Sequence, residues 1–195
     1  MDWLKDLHWN RGLIAMILLV VVTSLVGPRT TEGVGDRLQV VLPLTGLGCA
    51  IVAGEGPRYT MRYIALTVTY NLSKHGLGET ALNARPNGGF EGFPSGHTSV
   101  SAYGAAGIAR TCLAANPPAQ VAAGMAAGLV GGTRIDVGAH NVWQVLGGAI
   151  LGWIFQVVAF TAFDAWARRA FAAMGRGIVS GARTVRDGVT RLTRL

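Results

Sequence analysis

The chain has 195 residues, of which 50% are hydrophobic and only 14% charged, with a mean hydropathy of +0.38. About a quarter of the residues of an ordinary soluble domain are charged, so the composition leaves too little polar surface for such a domain and better fits one integral membrane domain, with a soluble helical bundle as the alternative. The net charge of +7 does not imply nucleic acid, because the cations flank apolar segments instead of clustering with aromatics on one surface. That placement suits basic residues held toward the cytoplasm and anionic lipid.

In chain order, residues 1–11 set Trp3, Leu4, Leu7 and Trp9 among Asp2, Lys5, Asp6 and His8, which predicts a short interfacial helix with its tryptophans at headgroup level. Residues 13–26 are apolar and stop at Gly27-Pro28. No small-x-small cleavage site follows, so the stretch is predicted to stay as a helix and not to be removed as a signal peptide. Residues 28–37 are predicted as a polar turn. Further apolar runs follow at 38–53, 59–72, 99–115, 119–132 and 142–163, the last the longest and cleanest. Asn116-Pro117-Pro118 separates two of them, since proline stops a helix that precedes it.

The expected architecture is therefore all-α, with six transmembrane helices in a bundle over 1–165 and a basic amphipathic helix over 166–195. Several runs are shorter than the ~20 residues that cross a hydrocarbon core and need flanking residues to complete a span. Glycines four apart, at 124, 128 and 132 and at 148 and 152, are placed to let helices approach closely. Cys49 and Cys112 both fall in apolar runs, which predicts small packing residues and neither a disulfide framework nor a zinc site.

An N-terminus inside puts Lys5, Arg11, Arg58, Arg62, Arg110 and the seven tail arginines on the cytoplasmic side, against Arg29, Arg37, Lys74, Arg85 and Arg134 outside. The excess predicts both termini cytoplasmic and the 74–144 stretch on the extracytoplasmic face, as in a bacterial inner membrane protein. In the tail, Phe171, Met174, Ile178, Ala182, Val185, Val189 and Leu192 recur at three and four residues between arginines. That pattern reads as a basic anchor on the membrane surface, with docking of a protein partner as the other reading.

Residues 74–144 gather the chemistry. Pro94-Ser95-Gly96-His97 precedes an apolar run, so Ser95 and the next N–H groups lie at a helix N-terminus, where free donors and the dipole attract an anion. Ser95 is equally an ordinary N-cap. Arg134 and His140 bracket a short turn between two later runs, at the same end as His97. With Lys74 and Arg85-Pro86, the stretch offers three cations and two imidazoles, a set suited to holding phosphate, attacking phosphorus and moving protons.

These pieces resemble the phosphatidic acid phosphatase type 2 superfamily, recognised by three blocks: Lys, six residues, Arg-Pro; Pro-Ser-Gly-His; and Ser-Arg, five residues, His, three residues, Asp. The second block is complete in Pro94, Ser95, Gly96 and His97. The third is present in Arg134 and His140 at the right spacing, with Thr133 for Ser and Gln144 for Asp. In the first, Arg85-Pro86 is present, but Gly78 stands at the lysine position and Lys74 lies four residues further back. Lys74 reaches the site if Gly76, Leu77 and Gly78 form an extra turn.

The resemblance implies a membrane lipid phosphatase without metal or other cofactor. His140 would be the nucleophile that forms a phosphohistidine and His97 the acid and then base. Lys74, Arg85, Ser95, Gly96 and Arg134 would hold the phosphate, and Gln144 would orient His140. A competing metal site of His97, His140 and Asp136 is disfavoured by the surrounding cations. Asp136 or Glu91 could replace the missing carboxylate. The expected partners are a lipid phosphate and the bilayer, not nucleic acid. The alternative is a silent relative that binds a lipid phosphate or serves as an assembly subunit, to which Gln144 and the displaced lysine point.

Overall fold

The computed structural model describes residues 30–158 and 161–166, with positions 169, 172, 173 and 176 beyond them. The expected helices over 1–11 and 13–26 and most of the basic tail lie outside the described residues. The chain divides into two compact units, Met1–Val158 and Ala159–Leu195.

The first unit is all-helical among its described residues: α1 Thr31–Val52, α2 Gly56–Leu77, α3 Gly96–Thr111, α4 Pro117–Asp136 and α5 Val142–Val157. Of these, α1 is long and apolar enough to cross a membrane, and α5 is a shorter apolar helix.

Two boundaries differ from expectation. Residues 31–37 are not a turn but the first two turns of α1, because Thr30 caps the helix by accepting from Gly33 N at 3.1 Å and Glu32 stands in the first turn. The last run is not the longest. Helix α5 stops after 16 residues where Val158 turns extended, whereas α1 and α2 have 22 each.

Helix α3 is the hub, packed against the other four. Its sequence, Gly-His-Thr-Ser-Val-Ser-Ala-Tyr-Gly-Ala-Ala-Gly, is small enough to be approached from every side. A Cβ on Gly148 of α5 would stand 2.5 Å from Ser95 O, and one on Gly104 would run into the Leu42–Pro43 backbone of α1. Gly124, Gly128 and Gly132 face open space and bring no described helix closer, so that part of the glycine pattern carries no packing role here.

Leu38, Leu42, Ile108, Leu113, Ala123 and Val130 form one core between α1, α3 and α4. Tyr59, Leu66 and Tyr103 form another against α2, with the Tyr103 hydroxyl donating to Tyr59 O at 2.6 Å and the Tyr59 hydroxyl to Pro43 O at 2.8 Å. Buried aromatic hydroxyls are thus all partnered in this core, as burial requires.

Cys49 and Cys112 are joined in a disulfide that ties α1 to the end of α3, with Cα atoms 5.6 Å apart. This corrects the expectation of plain packing residues. The 63-residue separation carries no pairing signal, and only the docking of α1 on α3 brings the two thiols together.

Candidate active site

The end of the unit opposite the disulfide collects the polar groups. Lys74 stands in the last turn of α2, Arg85 in the 78–95 loop, and Ser95, Gly96 and His97 at the start of α3. Arg134 is in the last turn of α4, His140 follows it, and Gln144 lies in the first turn of α5.

The loop is held by two buried amides. Asn83, fully buried, donates through Nδ2 to Lys74 O at 2.8 Å and Gly78 O at 2.7 Å and accepts Phe93 N at 3.0 Å. Gln144, also fully buried, donates through Nε2 to Leu82 O at 3.0 Å and Ala84 O at 2.8 Å. Helix α2 runs on through Gly76 and Leu77, and Gly78 ends it at φ 53°. The residues that displace Lys74 from the family spacing thus lengthen the helix, and the lysine is left close enough to Arg85 and His140 for their charges to act on one another. Its ammonium lies 5.6 Å from the centre of the Tyr70 ring, a cation–π distance.

His140 is buried, and its Nδ1 lies 3.2 Å from Gln144 Oε1. The amide nitrogen already serves two carbonyls and Oε1 also accepts Asn141 N at 3.2 Å, so the ring donates from Nδ1 and Nε2 keeps its lone pair. Burial lowers the His140 pKa to about 4. The Gln144 bond opposes the shift, while Arg85, Lys74 and His97 add to it. At neutral pH the ring is therefore an uncharged imidazole of fixed tautomer.

Ser95 is the N-cap of α3. Its hydroxyl, fully buried, accepts from Thr98 Oγ1 at 3.0 Å, and its N–H donates to Gln144 O at 2.9 Å. Gly96 packs against Tyr70, where a Cβ would stand 3.2 Å from the ring. The first N–H groups of α3, with no partner within the helix, lie beside His97. Arg85 donates through Nη2 to Glu91 O at 3.0 Å, while its buried Nε has no acceptor among the described residues. An anion oxygen would supply one.

Sequence reasoning missed the acidic side of the site. Asp36 Oδ1 lies 3.2 Å from His97 Nε2 and 3.3 Å from Arg134 Nη1, and Arg134 Nη2 also donates to Glu32 O at 3.3 Å. The Thr30 cap with Glu32 behind it was the signal that would have extended α1 over Asp36. The two carboxylates considered as substitutes are engaged elsewhere: Asp136 accepts from Thr31 Oγ1 at 2.8 Å, and Glu91 pairs with His75 at 3.4 Å.

Two imidazoles, two guanidiniums and an ammonium thus gather at one end of the helical bundle. The chain belongs to the PAP2 superfamily, whose family model matches residues 40–168. No match was found among curated proteins or among solved structures. Members of this superfamily are generally phosphatases and largely membrane-associated.

Proposed function

We propose that the chain is an integral membrane phosphatase that removes phosphate from a lipid phosphate or diphosphate through a phosphohistidine on His140. The observation that carries this reading is the His140 ring: buried, uncharged, held by Gln144 at Nδ1, and close to Arg85, Lys74 and His97. Its free Nε2 attacks phosphorus as the ester P–O bond breaks, and His97 protonates the leaving oxygen. Water then attacks the phosphohistidine, the P–N bond breaks, and His97 takes the water proton. Lys74, Arg85, Arg134 and the N–H groups at Gly96 hold the phosphoryl oxygens as charge builds on them. No step needs a metal.

An apolar groove of about 570 Å³ supports a lipid substrate. It runs from His97, Gly96 and Lys74 along Tyr70, Leu47 and Leu44, between α1, α2 and α3. A headgroup at the histidines would leave its acyl or polyprenyl tail in this groove. Ile51, Met125, Leu129 and Trp143 are exposed on α1, α4 and α5, as lipid-facing residues would be. With the 13–26 stretch, the unit would make six spans, placing the site on the extracytoplasmic side and both termini in the cytoplasm. That orientation puts Glu55, paired with Arg58 and Arg110, at the cytoplasmic end, and the disulfide near it with Cys49 buried in the helical core. The basic tail would lie on the anionic leaflet.

The test is phosphate release by the purified protein from phosphatidic acid, phosphatidylglycerol phosphate, a polyprenyl diphosphate and a phosphorylated lipid A, beside His140→Ala. Release from at least one lipid, abolished in the variant, is the expected result. No release above the variant from any of them would favour the silent, lipid-phosphate-binding relative.

A further inference from the structure

The carboxylate absent beside one histidine is present beside the other. Resting on the phosphatase reading above, we propose that Asp36 is the positioning residue for His97, holding that ring as a proton donor to the leaving oxygen. Asp36 precedes the segment matched by the family model, which begins at residue 40, and it stands on α1, which carries no residue of the three blocks.

The geometry is that of a shared carboxylate. Asp36 Oδ1 accepts from His97 Nε2 at 3.2 Å and pairs with Arg134 Nη1 at 3.3 Å. Arg134 is almost fully buried, with 5% of its side chain exposed, and Glu32 Oε1 lies 3.7 Å from it. Thr133 and the Arg134 guanidinium press against α1 at Gly35, where a Cβ would stand 3.4 Å from Arg134 Nη2. Close packing of α1 against α4 therefore delivers the carboxylate.

The chemistry requires such a group. A general acid must carry its proton until the ester bond breaks. Burial works first against a charged His97 ring, Arg134 from α4 and Lys74 from α2 add to it, and Asp36 offsets them only in part. His140 is near as well and is uncharged. Asp36 from α1 acts in favour, by charge and by hydrogen bond. As an imidazolium, His97 has two N–H groups. Nε2–H goes to Asp36, and the other is left for the leaving oxygen. When water attacks the phosphohistidine, its proton returns to the same ring. Gln144 fixes the tautomer of His140 through Nδ1, and Asp36 takes the Nε2–H of His97, so the two rings are positioned by partners of different charge.

The experiment is leaving-group dependence in the full-length protein. An alkyl lipid phosphate needs a proton on its leaving oxygen, whereas an aryl phosphate such as p-nitrophenyl phosphate departs without one. Single-turnover release of the leaving alcohol should fall by tenfold or more for the lipid phosphate in Asp36→Asn, while release of p-nitrophenol from the aryl phosphate stays within about threefold. The substitution should add nothing further in a His97→Ala background. An equal loss on both esters would mean that Asp36 serves only to place Arg134 and would overturn the proposal. So would an unchanged kcat with tighter binding of inorganic phosphate, which would mark Asp36 as a resident competitor for the anion site. If Asp36→Asn does not fold, Asp36→Glu carries the same test, and the proposal then requires a larger loss on the alkyl than on the aryl ester. Wild-type protein inactive on both esters would instead defeat the phosphatase reading itself.

Discussion

The Gln144 amide binds His140 with one end and the 78–95 loop with the other: Oε1 lies 3.2 Å from the ring, while Nε2 donates to Leu82 O and Ala84 O. Glutamine is matched to this position, because a carboxylate would face two carbonyl oxygens with nothing to donate. Gln144→Asp should therefore not raise activity, although it restores the family residue. The shorter acid leaves both carbonyls unpaired, and the expected cost is about 1–3 kcal/mol of stability, with phosphate release reduced about tenfold. Thermal unfolding and steady-state release measure the two effects. A large gain in rate would contradict this role for Gln144.

The depressed His140 pKa sets the acid limb of the reaction. As the proposed nucleophile His140 would act as the neutral ring, and its pKa is lowered from 6.5 to about 4, so the neutral form persists as pH falls through the usual histidine range. With an aryl phosphate, whose leaving group needs no proton from His97, phosphohistidine formation should lose no rate to His140 protonation between pH 7 and about 5 and should decline only near 4. Arg85 holds this pKa down, so Arg85→Ala should move the limb to higher pH besides weakening phosphate binding. A limb at the ordinary histidine position in the wild-type chain would contradict the buried, cation-flanked ring.

The Cys49–Cys112 bond closes a loop of about 63 residues, and cross-linking a loop of that size stabilises by about 4 kcal/mol on chain-entropy grounds. Reduction, or a Cys49→Ala/Cys112→Ala double variant, should lower the melting temperature markedly. Single-turnover rates at a temperature where both forms are folded should be unchanged, since the bond lies at the far end from His97 and His140. Melting with and without reductant checks the first statement, and a rate change in the folded double variant would contradict the second.

The glycines separate into two groups. Gly148→Ala should destabilise by about 1–3 kcal/mol and lower activity, because its Cβ would press on Ser95 O at the start of α3. Gly124→Ala and Gly128→Ala, with open space around them, should leave both unchanged. Melting curves of the three variants make the comparison.

Much of this was legible in the sequence, and the reasons differ from residue to residue. Apolar runs and the paired prolines located the five helices among the described residues of the first unit, since burial and proline geometry act locally. Pro94 to His97, Arg134 and His140 marked the candidate site because residue types at fixed spacing survive in one dimension. Two features were not legible. Cys49 and Cys112 meet only through tertiary docking, and Asp36 was hidden because Gly33, Gly35 and the charges around them mimic a turn. Thr30 had marked a helix start there. Even with that cap recognised, contact between Asp36 and His97, 61 positions away, follows from the packing of α1 on α3 and α4, which no local pattern encodes.

The most direct test of the account is to trap the intermediate. After rapid quenching of the wild-type protein with a radiolabelled lipid phosphate, label should be found on His140 in an acid-labile, alkali-stable bond, and it should disappear in His140→Ala. Phosphate release proceeding without any such label, or label retained in the His140→Ala variant, would contradict it.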